Sequence, residues 1–415
     1  MSFTALGLSP ALLRATAALG YTEPTPIQAA AIPALLAGRD MLASAQTGSG
    51  KTAAFGLPLL QHIERSERTA PRRTLALVLV PTRELAAQVG EALRALARQL
   101  AEPVKVLIVY GGVSINPQMM ALRGGAEVVV ATPGRLLDLV ERNALSLGDV
   151  ATLVLDEADR LLDAGFADEL ARLLAQLPAS RQSLLFSATF PPAVHALAQA
   201  LLREPLRIDV PELRTADDLA AIEQRSIQVD TARRTQLLRH LIQHHGWSRV
   251  LVFVATRYAS EHVAGKLAGL GIAAAALHGE MSQGARQMAL ADFKAGNLQV
   301  LVATDLAARG LHVDQLPVVV NFDLARAPET HVHRIGRTGR AGESGLAISF
   351  ISADGATAEA HFRLIEKRQG KRVPREQVAG FEPSHVAPPQ PGPGGIKGPR
   401  KSKKDKLREA AARGR

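Results

Sequence analysis

The sequence predicts an α/β protein with two tandem domains, each a parallel sheet with helices on both faces. The first observation is length, because 415 residues exceed a single domain of about 100–200 residues. The second is a recurrent pattern of short Val, Ile and Leu runs separated by stretches of helical length, which is typical of parallel α/β units. The third is that these runs are apolar on both faces, as expected for strands covered by helices on each side.

The predicted strands of the first domain are the apolar runs Met41–Ala43, Thr74–Val80, Val104–Tyr110, Glu127–Ala131, Thr152–Leu155 and Ser183–Phe186. Those of the second domain are Val250–Val254, Ile272–Leu277, Gln299–Ala303, Val318–Phe322 and Leu346–Ile351. Nearly every run ends in a cluster of Gly, Thr, Ser, Arg or acidic residues. Because open α/β sheets bind ligands at the carboxyl ends of their strands, we expect a ligand-binding edge in each domain.

Two changes in composition divide the chain. The segment 210–222 is polar and acidic and lacks a buried-strand pattern, so we predict a hinge linker there. Pro and Gly concentrate between Pro383 and Pro399, in a stretch that cannot pack. We therefore predict a first domain at residues 1–209, a second domain at 223–375, and a disordered tail at 376–415 that is rich in Pro and Gly and then basic.

Composition excludes several classes of protein. Hydrophobic residues make up 47% of the chain and charged residues 21%, which fits a folded protein rather than a disordered one. The absence of cysteine excludes disulfides, thiolate metal sites and cysteine nucleophiles. The sequence starts without the pattern of a signal peptide, and its apolar runs are shorter than the roughly 20 residues of a membrane span. We therefore expect a cytoplasmic protein that does not engage a membrane.

The net charge of +10 is concentrated in the tail. Residues 396–415 contain nine Lys or Arg against Asp405 and Glu409, which gives +7 there and leaves +3 for the rest of the chain. A basic tail on a nearly balanced body suggests a polyanion partner that is bound through its phosphates. A solvated tail that only aids solubility is the alternative, and the tail by itself favours neither.

A phosphate-binding loop follows the first predicted strand and leads into an apolar helix. It comprises Ala45, Gln46, Thr47, Gly48, Ser49, Gly50, Lys51 and Thr52. Glycines let backbone amides close on phosphate oxygens, and the amino terminus of the helix adds positive potential. We expect Lys51 to reach the β- and γ-phosphates of ATP and the Thr52 hydroxyl to bind Mg²⁺. A structural turn is the alternative, but the position between a strand and a helix favours the nucleotide.

Acidic residues follow the predicted strand Thr152–Leu155, at Asp156, Glu157 and Asp159. An aspartate at the end of a neighbouring strand completes a nucleoside-triphosphate site by holding Mg²⁺ through water, and Asp156 is the candidate. Glu157 is in the right place to polarise the attacking water as a general base. Acids also occur at helix amino termini for electrostatic reasons alone, and it is the combination with the phosphate-binding loop that favours catalysis.

Three arginines spaced three residues apart follow the strand Val318–Phe322, at Arg334, Arg337 and Arg340, with His333 before them. Such an array suits phosphate recognition, and Arg337 and Arg340 are candidates for arginine fingers that stabilise the transferring phosphoryl group. A solvated basic turn is the alternative. If the fingers act on a nucleotide bound to the first domain, hydrolysis requires the two domains to close on each other.

Together these motifs resemble DEAD-box ATP-dependent RNA helicases, and the chain is most similar to the bacterial RhlE-type. The resemblance covers residues 1 to about 375 and implies two tandem RecA-like domains that bind ATP and Mg²⁺ and act on RNA. It also implies ATP-binding roles for Phe3, Tyr21, Gln28 and Asp305, with Gln28 contacting the adenine edge.

Further motifs of the family imply coupling and RNA-binding roles. Ser187 and Thr189 resemble the motif that links hydrolysis to unwinding by bonding with Asp159, and His333 is implied to contact the acidic motif of the first domain. The residues that match RNA-backbone motifs are Pro81, Thr82, Arg83, Gly112, Thr132, Arg135, Thr256, Gly279, Arg286 and Thr304. Backbone contacts predict RNA binding that tolerates sequence and responds to salt. Aromatic residues are only 4% of the chain, which argues against a base-stacking platform.

Two positions depart from the family pattern. His312 stands where the family places an Asp that touches the ATP ribose, and His331 stands where a Tyr is frequent. We predict a monomeric ATPase that locally unwinds short RNA duplexes or remodels RNA–protein complexes, with ribosome-assembly or RNA-decay complexes as candidate partners. An ATP-gated RNA clamp or scaffold and a DNA-dependent helicase or translocase are the alternatives.

Overall fold

The structure is a computed structural model, and it describes residues 2–44, 49–163, 165–209, 222–308, 316–339, 345–355 and 357–384. Two seven-stranded sheets, one in each half of the chain, form its framework. All strand pairs of the described sheets are parallel. None of the helices in the described part of the chain has the length and apolarity that crossing a bilayer requires.

The first sheet comprises β1 Met41–Ser44, β2 Ala76–Leu79, β3 Val106–Val109, β4 Val128–Ala131, β5 Thr152–Leu155, β6 Gln182–Ser187 and β7 Leu206–Asp209. Its strand order is β3-β4-β2-β5-β6-β1-β7. A short 3-10 helix, Phe3–Leu6, precedes the helices Pro10–Ala18, Pro26–Leu36, Lys51–Arg65, Arg83–Ala97, Asn116–Leu122, Pro133–Glu141, Ala158–Asp163, Ala167–Leu174 and Pro192–Leu201. Val78 packs into the core on one face of this sheet, and Leu77 and Leu79 pack into the core on the other.

The second sheet comprises β8 Ile222–Val229, β9 Val250–Val254, β10 Ala274–Leu277, β11 Val300–Thr304, β12 Val318–Asn321, β13 Gly345–Ser352 and β14 Arg375–Glu376. Its strand order is β10-β11-β9-β12-β13-β8-β14, so β8 to β14 take the places that β1 to β7 take in the first sheet. After the 3-10 helix Thr231–Arg233, its helices are Arg234–His245, Arg257–Gly269, Gln283–Ala295, Asp305–Ala308, Pro328–Ile335 and Ala358–Gln369. Both faces of this sheet are also covered. The predicted fold class is confirmed.

Three strands of the structure, β7, β8 and β14, are absent from the sequence-based prediction. β8 begins at Ile222, the last residue of the predicted hinge, while residues 210–221 lie outside the described part of the chain. β8 contains Glu223, Gln224 and Arg225, and these polar residues interrupt the apolar run by which a strand is recognised in the sequence. Its outer neighbour β14 is only two residues long, so much of β8 behaves as an edge strand, where polar side chains are tolerated.

The folded part of the chain extends beyond residue 375, where the sequence predicted the start of the tail. Phe381 packs against the core of the second sheet, and the guanidinium of Arg233 lies 5.1 Å from the centre of its ring. The backbone N and the Oγ of Ser384 donate to Asp230 Oδ2 at 2.9 and 2.6 Å. These contacts fix residues 376–384 on the second domain, and residues 385–415 lie outside the described part.

Candidate nucleotide site and nucleic-acid interface

The predicted site residues of the first domain divide between two parts of the carboxyl edge of its sheet. The phosphate-binding loop follows β1, Asp156 follows β5 and Ser187 ends β6, and these strands are adjacent as β5-β6-β1. The residues that match RNA motifs follow β2, β3 and β4, which are adjacent as β3-β4-β2. We call these parts the candidate nucleotide half and the candidate RNA half of the edge.

The described end of the phosphate-binding loop is held by the residues that start the helix Pro26–Leu36. Thr25 Oγ1 donates to Ser49 O at 2.9 Å, and Gln28 Nε2 donates to Gly50 O at 3.1 Å. Gly50 has φ 89°, and a Cβ there would lie 2.6 Å from Gln28 Nε2, so this position requires glycine. Four predicted loop residues lie outside the described part of the chain, namely Ala45, Gln46, Thr47 and Gly48.

Lys51 begins the helix that follows this loop and contacts the acid that follows β5. Its Nζ lies 2.6 Å from Asp156 Oδ1, and the two residues are only 5% and 0% exposed. Burial alone would lower the pKa of Lys51, but the charges of Asp156 and Glu157 outweigh it and raise that pKa above its usual value. The ion pair thus favours the cationic form of Lys51 that a phosphate ligand needs, and Thr52 lies half-buried beside it.

Two buried polar atoms near Lys51 lack hydrogen-bond partners among the described residues, namely Asp156 Oδ2 and Ser49 Oγ. Buried polar atoms without partners are costly unless a ligand satisfies them. Mg²⁺ usually binds one or two carboxylates together with waters and substrate phosphates, and Asp156 fits that role. In the described ranges there is no group of three or more His, Cys, Asp or Glu that would form an all-protein metal cage. This donor set fits Mg²⁺ held jointly with a nucleotide.

Glu157 occupies a left-handed backbone conformation, with φ 54°. A residue other than glycine pays about 1–3 kcal/mol for such a conformation, and it persists where the surroundings demand it. Arg160 Nη1 donates to Glu157 Oε2 at 2.8 Å, one helical turn away. The sharp turn thus directs two consecutive carboxylates to different partners. Asp156 pairs with Lys51, and Glu157 pairs with Arg160.

Asp159, Ser187 and Thr189, which the resemblance assigns to coupling, form one closed hydrogen-bond network. The N and Oγ1 of Thr189 donate to Asp159 Oδ2 at 3.1 and 2.7 Å. Asp159 N donates to Ser187 Oγ at 3.2 Å, and Ser187 Oγ donates to Thr189 O at 2.7 Å. The network links the segment after β5 to the end of β6, so a displacement of one of these segments also moves the other.

Both the oxygen and the nitrogen of the Gln28 side-chain amide form hydrogen bonds within the protein. Its Oε1 accepts from Thr25 N at 3.0 Å while its Nε2 bonds the phosphate-binding loop at Gly50. Contact with adenine stays a prediction, and the structure adds a role for Gln28 in shaping the loop. Phe3 is buried and stacks on the half-exposed ring of Tyr21, with the ring centres 6.4 Å apart.

A cavity of about 330 Å³ lies between the two domains. The first domain contributes Asp159, Arg160 and Thr189 to its walls, and the second contributes His333 and Arg337. The structure thus brings two residues that the resemblance assigned to coupling, Asp159 and Thr189, together with two predicted catalytic residues of the second domain, His333 and Arg337. Arg340, the other predicted arginine finger, lies outside the described residues, and so does His312.

Arg334, the first arginine of the array, anchors the array within the second domain. Its Nε and Nη2 donate to Asp305 Oδ1 and Oδ2 at 2.6 and 2.7 Å, in the bidentate geometry that suits a carboxylate. Its Nη1 donates to Asn321 Oδ1 at 3.1 Å, and its guanidinium lies 5.0 Å from the centre of the Phe253 ring. Asp305 lines the same cavity, but its predicted contact with ATP stays a prediction.

The candidate RNA half of the first domain has both exposed and buried members. Thr82 caps the helix that follows β2, where its Oγ1 accepts from Leu85 N at 3.2 Å. Gly112 is exposed with φ 76°, and a side chain there would clash with the guanidinium of Arg83. Arg135 Nη2 donates to Val113 O at 2.7 Å, which ties the loops after β4 and β3 together. The buried members are Pro81 and Thr132.

The candidate RNA half of the second domain follows β9, β10 and β11, again three adjacent strands. Thr256 caps the helix Arg257–Gly269, and its Oγ1 accepts from Ala259 N at 3.1 Å. Thr256 and Gly279 are exposed, and Thr304 is half-buried. The two domains therefore offer equivalent edges.

Arg286 differs from the other predicted RNA contacts because it is buried between the domains. Its Nε donates to Glu84 Oε1 of the first domain at 2.8 Å, and its Nη1 donates to His278 O at 2.9 Å. This ion pair lies beside the candidate RNA half and joins the two domains. A direct contact between Arg286 and RNA stays a prediction.

The sequence assigned no individual role to three residues that the structure places at the site: Glu84 and Thr25, which lie within motifs of the family, and Arg160. Arg160 lies in the helix Ala158–Asp163, three residues after Glu157, and this spacing is a signal for an ion pair. Thr25 occupies the cap position before Pro26, but nothing local in the sequence indicates its bond to the phosphate-binding loop. The partner of Glu84 is 202 residues away, so sequence spacing carries no information about it.

The fold and the shared cavity define a class of protein. It is the class of nucleotide hydrolases in which one RecA-like domain carries the phosphate-binding loop and a second, tandem domain completes the site. The sequence profile of the DEAD/DEAH box helicase family matches residues 25–197, and the profile of the helicase conserved C-terminal domain matches residues 233–342.

Curated relatives agree with this class. The chain is 48% identical to the ATP-dependent RNA helicase DbpA of Escherichia coli K12, and the match covers 84% of this chain and 75% of that one. It is 45% identical to the ATP-dependent RNA helicase DeaD of Mycobacterium tuberculosis, over 92% of this chain and 66% of that one. The chain belongs to the DEAD-box family of ATP-dependent RNA helicases. These relatives carry other names, so the RhlE-type subtype stays a prediction.

Solved structures of related proteins are similar to the chain over most of its length. The chain is similar to S. cerevisiae Dbp5 bound to RNA and ADP BeF3, with 32% identity, coverage of 92% of this chain and 95% of that one, and a TM-score of 0.76. A variant of the same yeast protein bound to Nup159, Gle1, IP6 and ADP matches with 31% identity over 91% and 96%, but with a TM-score of 0.60. The chain therefore resembles the RNA-bound structure more closely than it resembles this second complex.

Proposed function

We propose that this chain is an RNA-dependent ATPase that locally unwinds short RNA duplexes or remodels RNA–protein complexes as its two domains close around ATP and RNA. The observation that carries the proposal is the shared cavity, because Asp159 and Thr189 of the first domain face His333 and Arg337 of the second across it. A site divided between two domains is complete only when they are closed. Each cycle of hydrolysis is therefore tied to a change in domain arrangement.

Residues of the candidate nucleotide half hold ATP. Lys51 exchanges its ion pair with Asp156 for the β- and γ-phosphates, and the unpartnered hydroxyl of Ser49 donates to a phosphate oxygen. Asp156 and Thr52 would hold Mg²⁺, which when bound neutralises negative charge on the phosphates. The adenine lies on the side of the loop that carries Gln28, with Phe3 and Tyr21 behind it. The position of Gln28 on the loop supports this assignment.

Hydrolysis is carried out by Glu157, whose side chain bonds Arg160 in the cavity wall, together with residues of the second domain. Glu157 takes a proton from the attacking water, whose oxygen bonds to the γ-phosphorus while the bond to the bridging oxygen breaks, giving ADP and inorganic phosphate. For this step Glu157 must exchange its ion pair with Arg160 for a hydrogen bond to water. Arg337 and Arg340 stabilise the charge on the transferring phosphoryl group from the second domain, and His333 contacts the acidic motif.

A single RNA strand lies along the candidate RNA halves of both domains. Its phosphates and sugars meet backbone amides and threonine hydroxyls at the strand ends, so binding tolerates sequence and weakens with salt. The network of Asp159, Ser187 and Thr189 transmits the state of the nucleotide to the neighbouring RNA half. We propose further that the protein acts as a monomer in the cytoplasm, with ribosome-assembly or RNA-decay complexes as partners and the basic tail as an RNA tether.

Steady-state ATP hydrolysis tests the proposal. Rates are measured without nucleic acid, with single-stranded RNA, and with DNA of matched sequence, at one salt concentration. We expect strong stimulation by RNA and little by DNA. Equal stimulation by DNA would indicate a translocase, and RNA binding without stimulation would indicate a clamp.

The variant Glu157→Gln separates binding from chemistry. We expect it to bind ATP and RNA as the unmodified protein does but to hydrolyse ATP about 10²–10⁴-fold more slowly, which is the usual contribution of a general base. The measurements are nucleotide affinity, RNA affinity and single-turnover hydrolysis. Loss of ATP binding would instead assign Glu157 to nucleotide binding.

A further inference from the structure

Tyr258 presents an aromatic ring to solvent in a chain that has few aromatic residues. The chain contains three tyrosines, and Tyr258 is 71% exposed. The ring of Tyr21 stacks on Phe3, and Tyr110 packs against the core of the first domain. Among the large apolar side chains that the described residues expose, Tyr258 has the highest exposed fraction, so its ring is available for a contact.

The position of Tyr258 lies within the candidate RNA half of the second domain. Tyr258 is in the first turn of the helix Arg257–Gly269, two residues after the capping residue Thr256 at the carboxyl end of β9. Gly279, another predicted RNA contact, follows the strand β10 at the same edge. The ring therefore borders the surface over which we propose that the RNA backbone runs.

The ring is held in place on one side. Tyr258 stacks on His262, one helical turn later, with the ring centres 5.5 Å apart and the planes at 18°. The start of the helix is tied to the loop after β10 by an ion pair of Arg257 with Glu280 and by a contact of 3.0 Å between Glu261 Oε1 and His278 Nε2. An ordered ring loses little conformational freedom when a second ring stacks on it.

We propose that Tyr258, supported by His262, is a stacking platform for one unpaired base of the bound RNA. This inference rests on the proposed function and departs from the expectation that so few aromatic residues argue against such a platform. Continuity with the candidate RNA half identifies the occupant, because a base attached to a backbone that passes Thr256 comes within reach of the ring. A base within a duplex is already stacked and paired, so the platform favours the separated strand over the duplex.

Binding of single-stranded RNA with one base removed at a time tests the proposal. The oligonucleotides keep every phosphate and ribose, and affinity is measured by fluorescence anisotropy with the ATP analogue ADP–BeF₃ present. For the unmodified protein we expect one position at which base removal weakens binding roughly 10-fold, within the range of base–aromatic stacking. Tyr258→Ala weakens binding of the intact RNA by the same factor and abolishes the effect of that base. Tyr258→Phe keeps both.

Two controls make the result specific. Leu364→Ala removes another exposed apolar side chain, from the helix Ala358–Gln369, and leaves the binding profile unchanged. The salt dependence of binding is the same for Tyr258→Ala as for the unmodified protein, because stacking releases no counterions. Equal affinities and identical base-removal profiles for Tyr258→Ala and the unmodified protein would overturn the platform and leave a protein partner for this ring. Failure of the unmodified protein to bind intact RNA would overturn the proposed function as well.

Discussion

The two domains share a strand order but differ at the nucleotide half of the edge. In the first domain, the helix after the first strand begins with Lys51, which pairs with Asp156 after the fifth strand at 2.6 Å. In the second domain, the helix after the first strand, β8, begins with Arg234, which pairs with Asp323 after the fifth strand, β12, at 2.7 Å. The same topology thus places a cation and a carboxylate together twice.

The surroundings of these two ion pairs decide what each can do. Both carboxylate oxygens of Asp323 are satisfied within its own domain, because Arg234 donates to one and Ala255 N donates to the other at 2.8 Å. Asp156 Oδ2 has no such partner among the described residues, and Lys51 follows a loop rather than a turn of 3-10 helix. A pair that is complete contributes to stability, whereas a pair with an unused ligand atom can bind a substrate.

The candidate RNA halves of the two domains, in contrast, share four residue types at equivalent positions of the edge. The matched pairs are Thr82 with Thr256, Arg83 with Arg257, Gly112 with Gly279, and Thr132 with Thr304. The sugar-phosphate backbone of RNA repeats along the strand, so two equivalent sheet edges can bind successive parts of it. Phosphoryl transfer, in contrast, needs different groups on the two sides of the nucleotide. The two domains are therefore alike at the edge that we propose for RNA and differ at the edge that we propose for the nucleotide.

The largest expected effect separates the two ion pairs. Lys51→Ala should reduce ATP hydrolysis below detection and weaken nucleotide binding, because it removes the phosphate ligand. Loss of one partner of a buried pair typically costs about 3–5 kcal/mol, so the thermal stability of the first domain should fall as well. The double variant Lys51→Ala/Asp156→Asn should recover thermal stability but not ATP hydrolysis. Thermal unfolding and ATPase assays measure the two effects.

The equivalent change in the second domain is the matched control for Lys51. Arg234→Met should lower the thermal stability of that domain while the ATPase rate at saturating ATP and RNA stays within a few-fold of the unmodified protein. A collapse of the ATPase rate in a folded Arg234→Met protein would mean that both ion pairs serve catalysis, and the comparison above would then be wrong.

Arg337 tests whether the second domain takes part in the chemistry of the first. Arg337→Ala should lower turnover by about 10³-fold or more, as for other arginine fingers, while ATP and RNA affinities change little. Arg337→Lys keeps the charge but lacks the guanidinium, and we expect it to recover only a small part of the rate. Single-turnover hydrolysis and equilibrium binding are the measurements. Unchanged turnover in Arg337→Ala would remove this residue from the site.

The features of the fold and of the candidate site that the sequence predicted are those that depend on short, local sequence patterns. Uninterrupted apolar runs predicted most strands of both sheets, and the phosphate-binding loop and the acidic cluster were recognisable from short motifs. The strand β8 escaped detection because its polar residues, such as Arg225, suit a near-edge position that depends on the rest of the sheet. The ion pair of Arg286 with Glu84 depends on how the domains meet, which no local spacing encodes.

That ion pair gives a smaller but sharper test of domain closure. Glu84→Arg and Arg286→Glu should each weaken RNA-stimulated ATP hydrolysis about 10-fold, because each places like charges against each other at the closed interface. Basal hydrolysis and the stability of each domain should change little. The double variant restores opposite charges, so we expect it to recover much of the RNA stimulation.

The result of this charge exchange assigns the role of Arg286. Recovery in the double variant would show that Arg286 acts through Glu84 to hold the domains together. If RNA affinity stays low in the double variant while each domain remains folded, Arg286 contacts RNA directly, as the family resemblance implies. Fluorescence anisotropy with single-stranded RNA distinguishes the two outcomes.

The smallest expected effect comes from the tail, which has no counterpart in the first domain. Because Ser384 is bound to Asp230, the truncation that spares the fold removes residues 385–415. RNA affinity should fall several-fold at low salt, and the slope of log affinity against log salt should become shallower by about 0.7 for each phosphate that the tail neutralises on a single strand. ATPase activity at saturating RNA should be unchanged. A second variant keeps the full length of the tail but replaces its Lys and Arg in 396–415 by Gln. If the charge of the tail binds RNA, this variant should behave like the truncation. Normal RNA affinity in both proteins would mean that the tail serves only solubility.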